Sequence, residues 1–145
     1  MSYQPRVVVS RVIPGSVDDV WEEIRDFGSF DEWHPAIENC TIDDGKAGDQ
    51  TGAVRDFDAP GKTVREELVA HSDTEHSYQY TILAGAGNKT NYLSELRLVP
   101  ITESDQTLAV WEGYFDVDDG DLEGAKENLT KVFSGGLDGL HEQFS

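Results

Sequence analysis

The stretch LEGAKENLTKVFSGGLDGLHEQF, residues 122–144, decides the fold because it is the longest helical pattern and closes the chain. Apolar residues recur every third or fourth position, as in a helix with one buried face. They are Leu122, Ala125, Leu129, Val132, Phe133, Leu137, Leu140 and Phe144. Gly135 and Gly136 lie midway and predict either a kink or a looser stretch there. A helix with one apolar face needs a partner surface, which the preceding sequence must supply.

Six strand-like segments precede this helix, with no helical pattern between them. β-Branched, aromatic and polar residues alternate in them, and turn sequences such as DAPG (residues 58–61) and GAGN (residues 85–88) separate them. The predicted strands cover residues 37–42, 52–57, 62–70, 77–83, 90–100 and 107–117. Successive strands joined by short turns pair in an antiparallel sheet.

The N-terminal part adds one strand and two short helices. Residues 6–13 are rich in valine and predict the first strand. Ser16 is a suitable N-cap for a helix that reaches about Asp26, and residues 29–33 predict a second, shorter helix. The sequence therefore predicts one α+β domain over residues 1–145: a seven-stranded antiparallel sheet wrapped around the long C-terminal helix. Such a sheet leaves a hollow against the helix, which is a place for a ligand.

Charge limits the partners of this chain. Its 11 basic and 29 acidic residues give a net charge of −18, which argues against binding to nucleic acid or to an anionic membrane surface. The same acidity suits either a very soluble surface or a high-salt habitat, where screening removes the self-repulsion. No apolar run approaches the roughly 20 residues that cross a membrane, and no secretory signal pattern is present, so we expect a cytoplasmic protein.

Several short motifs have a familiar order. They are WHPAI (residues 33–37), GAVR (52–55), REEL (65–68), YQY (78–80) and VWEG (110–113). In this order and spacing they resemble the START-like superfamily, also called SRPBCC or birch-pollen-allergen-like, and within it the small polyketide cyclase/dehydratase-like proteins. The resemblance covers nearly the whole chain and implies the helix-grip fold. Members include aromatic polyketide cyclases, lipid carriers, hormone receptors and plant allergens, so it implies a fold more firmly than an activity.

Arg55 and Glu66 are the candidate catalytic pair. They lie on predicted neighbouring strands on either side of the turn at residues 58–61, so they can be adjacent across the sheet. Val64 and Leu68 share the face of Glu66, which indicates an inward Glu66. Arg55 can stabilise a developing oxyanion while Glu66 moves a proton, and the resemblance implies the same roles. The alternatives are a structural ion pair or two solvated residues.

Aromatic residues with polar tips suggest a ligand pocket rather than a dry core. Tyr80, Tyr92 and Trp111 each bring a hydrogen-bonding group onto an apolar strand face. Trp33 precedes Pro35 near the pocket mouth that the resemblance implies. The remaining predicted wall residues are Phe57, Leu96, Phe115, Leu129 and Phe133.

The other reactive side chains carry weaker predictions. His34 is either a general base or an exposed bystander. His71 and His76 flank a turn and are expected to be solvated. Cys40 stands alone, which excludes an internal disulfide and predicts a plain buried thiol. No Cys/His cluster has the spacing of a metal site, so neither a metal nor another cofactor is predicted.

Three functions remain open from the sequence. The first is binding or carriage of a small hydrophobic or aromatic molecule, lipid- or polyketide-like. The second is a cyclase, dehydratase or isomerase that uses Arg55 and Glu66. The third is a stress or regulatory domain that binds another protein. An open hollow with inward charges favours the second function, and a hollow filled by side chains favours the third. The oligomeric state, monomer or homodimer, is left open.

Overall fold

The computed structural model describes residues 4–145 and contains one sheet and three α-helices within that range. The elements are β1 (Val7–Ile13), α1 (Val17–Ile24), α2 (Phe30–Trp33), β2 (Glu38–Ile42), β3 (Val54–Ala59), β4 (Lys62–Ser72), β5 (Ser77–Ala84), β6 (Lys89–Ile101), β7 (Gln106–Val117) and α3 (Leu122–Gln143). Two 3₁₀ turns, Phe27–Ser29 and Asp43–Gly45, complete the described part.

The sheet has the strand order β1-β7-β6-β5-β4-β3-β2 and every pairing in it is antiparallel. Strands β2 to β7 pair in chain order, as their short turns require. β1 pairs with β7 at the other end, so α1 and α2 bridge the two edges of the sheet. The predicted α+β helix-grip fold, with seven antiparallel strands, a long C-terminal helix and short helices after β1, is confirmed.

Several predicted boundaries shift by one or two residues, and two of these shifts have a clear local reason. α1 ends at Ile24 instead of Asp26, because the Asp26 side chain accepts a hydrogen bond from the backbone N–H of Gly28 and caps the following 3₁₀ turn. β3 begins at Val54 instead of residue 52, because Gly52 adopts a φ of +93° in a turn.

The core lies between the inner face of the sheet and the apolar side of α3. Along β6, every second residue from Tyr92 to Leu98, including Ser94, is buried, while the residues between them are only half-buried, as the period of two predicts. Phe133 of α3 stacks on Trp111 of β7, with 4.3 Å between ring centroids. Within residues 4–145, no helix combines the length and apolarity that a membrane span needs.

The predicted kink at Gly135 and Gly136 is wrong. α3 runs unbroken from Leu122 to Gln143. A Cβ atom on Gly136 would lie 2.8 Å from both His34 Cδ2 and Trp111 Cζ3, and one on Gly139 would lie 2.6 Å from the carbonyl oxygen of Trp33. These glycines therefore serve close packing of the helix against aromatic rings and backbone.

The close packing at Gly136 can be tested with a neighbouring control. Gly136→Ala is expected to lower the free energy of unfolding by about 1–3 kcal/mol, because the new methyl group overpacks the rings around it. In Gly135→Ala the methyl group would meet His34 Cε1 at an ordinary 3.5 Å. That control should gain up to about 1 kcal/mol from helix propensity. Urea denaturation measures both, and equal stabilisation of the two variants would contradict the packing argument.

Candidate functional site

A cavity of about 230 Å³ lies between strands β3–β6 and the middle of α3. Its wall is mainly apolar and includes Phe30, Ile37, Phe57, Val64, Leu129 and Phe133. An apolar cavity of about 150 Å³ can hold benzene, so this one has room for a substituted ring or a short acyl chain. The space is a candidate ligand site because few polar groups interrupt its apolar wall.

Glu66 is the acidic residue among those that line the cavity. It pairs directly with Arg55 across β3 and β4, as predicted from the turn between the strands. Arg55 Nε donates a hydrogen bond of 2.8 Å to Glu66 Oε1, and Nη2 lies 2.7 Å from the same oxygen. Within residues 4–145 the other oxygen, Oε2, accepts no hydrogen bond and is not fully enclosed, so it is the atom left for a ligand.

Arg55 itself lies behind the cavity wall. Its side chain is fully buried, and its Cζ atom lies 3.8 Å and 3.9 Å from the ring centroids of Phe27 and Phe30, which enclose the guanidinium between them. Nη1 donates to the carbonyl oxygen of Phe27 at 3.3 Å. Arg55 does not line the cavity, so its direct contact with a ligand oxyanion stays a prediction. Its contacts hold Oε1 of Glu66 in place.

The environment makes Glu66 a candidate for proton transfer. Burial raises the pKa of its carboxyl, and the positive charge of Arg55 opposes that rise without cancelling it. Burial lowers the pKa of Arg55, but Glu66 together with Tyr78, Tyr80 and Cys40 outweighs it and raises the pKa overall, so the guanidinium stays charged. A carboxyl with a raised pKa and one free oxygen can both accept and return a proton.

Tyr80 and Tyr92 line the cavity and supply hydroxyl groups to it. Trp111 Nε1 donates to Tyr80 Oη and to Ser94 Oγ, each at 3.1 Å, which holds the Tyr80 hydroxyl in place. Burial raises the pKa of both tyrosines, so their hydroxyls remain protonated and can donate to a ligand.

The predicted wall residues divide into two groups. Phe57, Leu129 and Phe133 line the cavity, together with Tyr80, Tyr92 and Glu66. Trp33, Leu96, Trp111 and Phe115 are buried around it without lining it. They support the wall: Trp111 stacks on Phe133, and Phe115 stacks on Tyr92 at 6.3 Å between centroids. Their role in ligand binding stays a prediction.

Several lining residues escaped the sequence prediction. Val64 and Ile82 line the cavity and lie two residues from Glu66 and Tyr80. The period of two along each strand could have found both. Phe30 had no such signal, because it belongs to a four-residue helix whose orientation depends on tertiary packing.

His34 is buried, contrary to the expectation of an exposed side chain. Its Nε2 lies 2.7 Å from the carbonyl oxygen of Val132 and its Nδ1 accepts a 3.2 Å hydrogen bond from the N–H of Ala36. These partners fix the neutral tautomer that is protonated on Nε2. Burial lowers the pKa of His34, and both ring nitrogens are occupied, which leaves no free nitrogen for general-base chemistry.

The remaining reactive side chains are structural. His71 and His76 are half-buried against Trp21, at 5.4 Å and 5.9 Å between ring centroids, so the expectation that they are solvated is wrong. Cys40 is half-buried in β2, and burial raises the pKa of its thiol to about 11. In the described part of the chain, no three His, Cys, Asp or Glu side chains are placed to share a metal ion.

Comparison with protein families gives one match that spans the described chain. The family described as "Polyketide cyclase / dehydrase and lipid transport" matches residues 4–145. No functionally curated protein matches the sequence significantly.

Solved structures include several similar chains. XoxI from Bacillus cereus is 32% identical with a TM-score of 0.86, and the match covers 99% of this chain and 96% of that one. A protein of Bacillus thuringiensis is 33% identical with a TM-score of 0.85, covering 94% and 96%. Norcoclaurine synthase from Thalictrum flavum, solved with dopamine and hydroxybenzaldehyde, is 17% identical with a TM-score of 0.71, covering 94% and 83%. At that identity the likeness concerns the fold alone.

Removing Arg55 should be far more costly than removing a surface arginine. Arg55→Met leaves Glu66 buried without its partner, and we expect a loss of about 3–5 kcal/mol in the free energy of unfolding. Arg65→Met is the matched control, because Arg65 also pairs with carboxylates on the same sheet but its side chain is 39% exposed. It should cost far less than Arg55→Met, because solvent screens exposed ion pairs.

Urea denaturation compares these variants with the double variant Arg55→Met/Glu66→Leu. The double variant should recover much of the loss, since it removes both buried charges together. Equal losses for Arg55→Met and Arg65→Met would contradict the structural importance of the buried pair.

Proposed function

Because this chain belongs to the polyketide cyclase / dehydrase and lipid transport family, we propose that it binds a small lipid- or polyketide-like molecule in the cavity between the sheet and α3. The family and the fold both support a domain that binds a hydrophobic ligand in general. The observation that carries the proposal is the open, largely apolar cavity itself.

The size of the cavity supports a functional origin. A cavity of about 230 Å³ forgoes up to about 5 kcal/mol of packing free energy, which is comparable with the whole stability of many domains. Leucine or isoleucine side chains would have filled the space without a polar cost. An open space also weighs against the hypothesis of a protein-interaction domain with a filled hollow.

Catalysis at Glu66 is the second candidate, favoured by the free Oε2 atom on the cavity wall. In this hypothesis the Glu66 carboxylate takes a proton from the carbon next to a ligand carbonyl and returns it to the enolate, as in cyclisation or isomerisation. Arg55 keeps Oε1 in place and thereby aims Oε2. Tyr80 and Tyr92 donate hydrogen bonds that orient the carbonyl compound.

Filling the cavity should remove binding without removing the fold. Ile82→Trp places a large ring at a lining position, and we expect its affinity for the neutral probe 2-naphthamide to fall at least about tenfold. The control is Leu83→Trp, one residue along β5, where the side chain is exposed. Fluorescence titration measures affinity and thermal unfolding checks the fold. Equal affinities of the two variants, or no saturable binding to the wild type, would reject the cavity as the binding site.

Glu66→Gln tests catalysis separately from binding. The wild type should accelerate the exchange of the α-protons of 2-tetralone in D₂O, as followed by NMR, and Glu66→Gln should lose that acceleration while still binding the ketone. The wild-type rate should rise with pH, because the base form is needed, and the rise should occur above the range of an ordinary carboxyl since burial raises the pKa of Glu66. Undiminished exchange in Glu66→Gln would rule out this mechanism.

A further inference from the structure

Positive charge collects on the cavity wall of this strongly acidic protein. The whole sequence has five lysines and a net charge of −18. Three of the five, Lys62, Lys89 and Lys131, line the cavity, whereas Glu66 is the acidic residue among the lining groups. A random share of charges would have placed mainly carboxylates there, since acidic residues outnumber basic ones 29 to 11.

The lysines mark the mouth of the cavity. Lys62 begins β4 directly after the turn from β3, Lys89 begins β6 after the turn from β5, and Lys131 lies on α3. Lys62 Nζ donates a hydrogen bond of 3.0 Å to the carbonyl oxygen of Gly85 and so joins the two turns. Lys62 and Lys131 are exposed and Lys89 is half-buried, as expected for a rim that meets solvent.

Two of these lysines have no carboxylate partner. All six arginines form ion pairs, yet among residues 4–145 neither Lys62 nor Lys89 does so. Lys131 lies 3.6 Å from Glu127 in an exposed pair. Lys46, which does not line the cavity, also forms no ion pair among residues 4–145. What distinguishes Lys62 and Lys89 is that both line one cavity without an ion-pair partner, which leaves a place for an anion.

Two acidic side chains near these turns are engaged elsewhere. Asp58, near the end of β3, accepts hydrogen bonds from Thr63 and Asn39, and Asp119, in the loop after β7, accepts one from Asn88 of the other turn. Burial lowers the pKa of Lys89, and the positive charge of Lys62 lowers it further, which agrees with two like charges near one another. The charge of Lys62 also reaches the Glu66 carboxyl and lowers its pKa, against the larger effect of burial.

We infer that the ligand is an amphiphile with a carboxylate head, which Lys62 and Lys89 bind at the cavity mouth while the apolar body lies inside. This inference rests on the proposed binding function and specifies its ligand class. The carboxyl of Glu66 on the cavity wall also determines which end of the ligand points inward. A carboxylate pointing inward would meet the Glu66 carboxyl in a poorly solvated space, whereas one at the mouth keeps part of its water and gains two cations.

A pair of isosteric probes tests the proposed binding function and the inferred carboxylate head group separately. 2-Naphthamide is neutral and 2-naphthoate is anionic at pH 7, and they share one apolar body. The wild type should bind 2-naphthoate about tenfold more tightly or better, as charge-assisted hydrogen bonds provide. That preference should shrink as sodium chloride is raised, because salt screens exposed charges.

Matched double variants assign the preference to the lysines. Lys62→Met/Lys89→Met should lose the preference for 2-naphthoate, measured as the ratio of the two probe affinities within that variant. The control Lys46→Met/Lys126→Met removes the same net charge from residues that do not line the cavity, and it should keep most of the preference. Thermal unfolding of each variant confirms that the fold is retained.

Each outcome has one meaning. A preference for 2-naphthoate that is lost in the cavity variant alone supports the inference. Equal binding of both probes by the wild type overturns the carboxylate head and leaves the hydrophobic cavity intact. If both double variants lose the preference for 2-naphthoate equally, the assignment to Lys62 and Lys89 is overturned, since net charge alone would then explain the preference. Failure of the wild type to bind either probe overturns the proposed function itself.

Discussion

The buried ion pair between Arg55 and Glu66 is the constraint on which the site depends. Two charges in a protein interior are costly unless each finds partners, and here the guanidinium finds the carboxylate, the carbonyl oxygen of Phe27 and two aromatic faces. These contacts tie β3 and β4 to the segment that connects β1 with β2. They also fix the direction of the Glu66 carboxyl. A structural interaction thus determines which polar atom the cavity presents.

Two parts of α3 meet the rest of the protein differently. The C-terminal half packs through Gly136 and Gly139 directly against rings and backbone of the segment around Trp33. The middle of the helix, with Leu129 and Phe133, borders the cavity and also packs closely against Gly113 of β7. One helix thus both closes the core and supplies a wall of the cavity.

Much of the fold and part of the site could be read from the sequence. Alternation along β6 and β4 placed Tyr92 and Glu66 on the inner face, and the turn at residues 58–61 placed Arg55 opposite Glu66. Periodicity predicts the sheet face on which a residue lies but not how deeply it is buried. It therefore could not show that Arg55 lies behind the cavity wall or that His34 is buried. Those facts depend on rings brought in by short helices, whose approach no local pattern encodes.

Along the unbroken α3, the residues that stabilise the fold and the residues that border the ligand cavity occupy different positions. Its glycine-packed end tolerates no added atom without a shift in its neighbours, so sequence change there is penalised whatever the ligand. The part that borders the cavity carries partly exposed positions such as Asn128 and Val132, whose side chains can be exchanged at little cost to the core. New ligand preferences can therefore arise by drift in one part of the helix while the other part preserves the scaffold, which gives this small domain room to diversify.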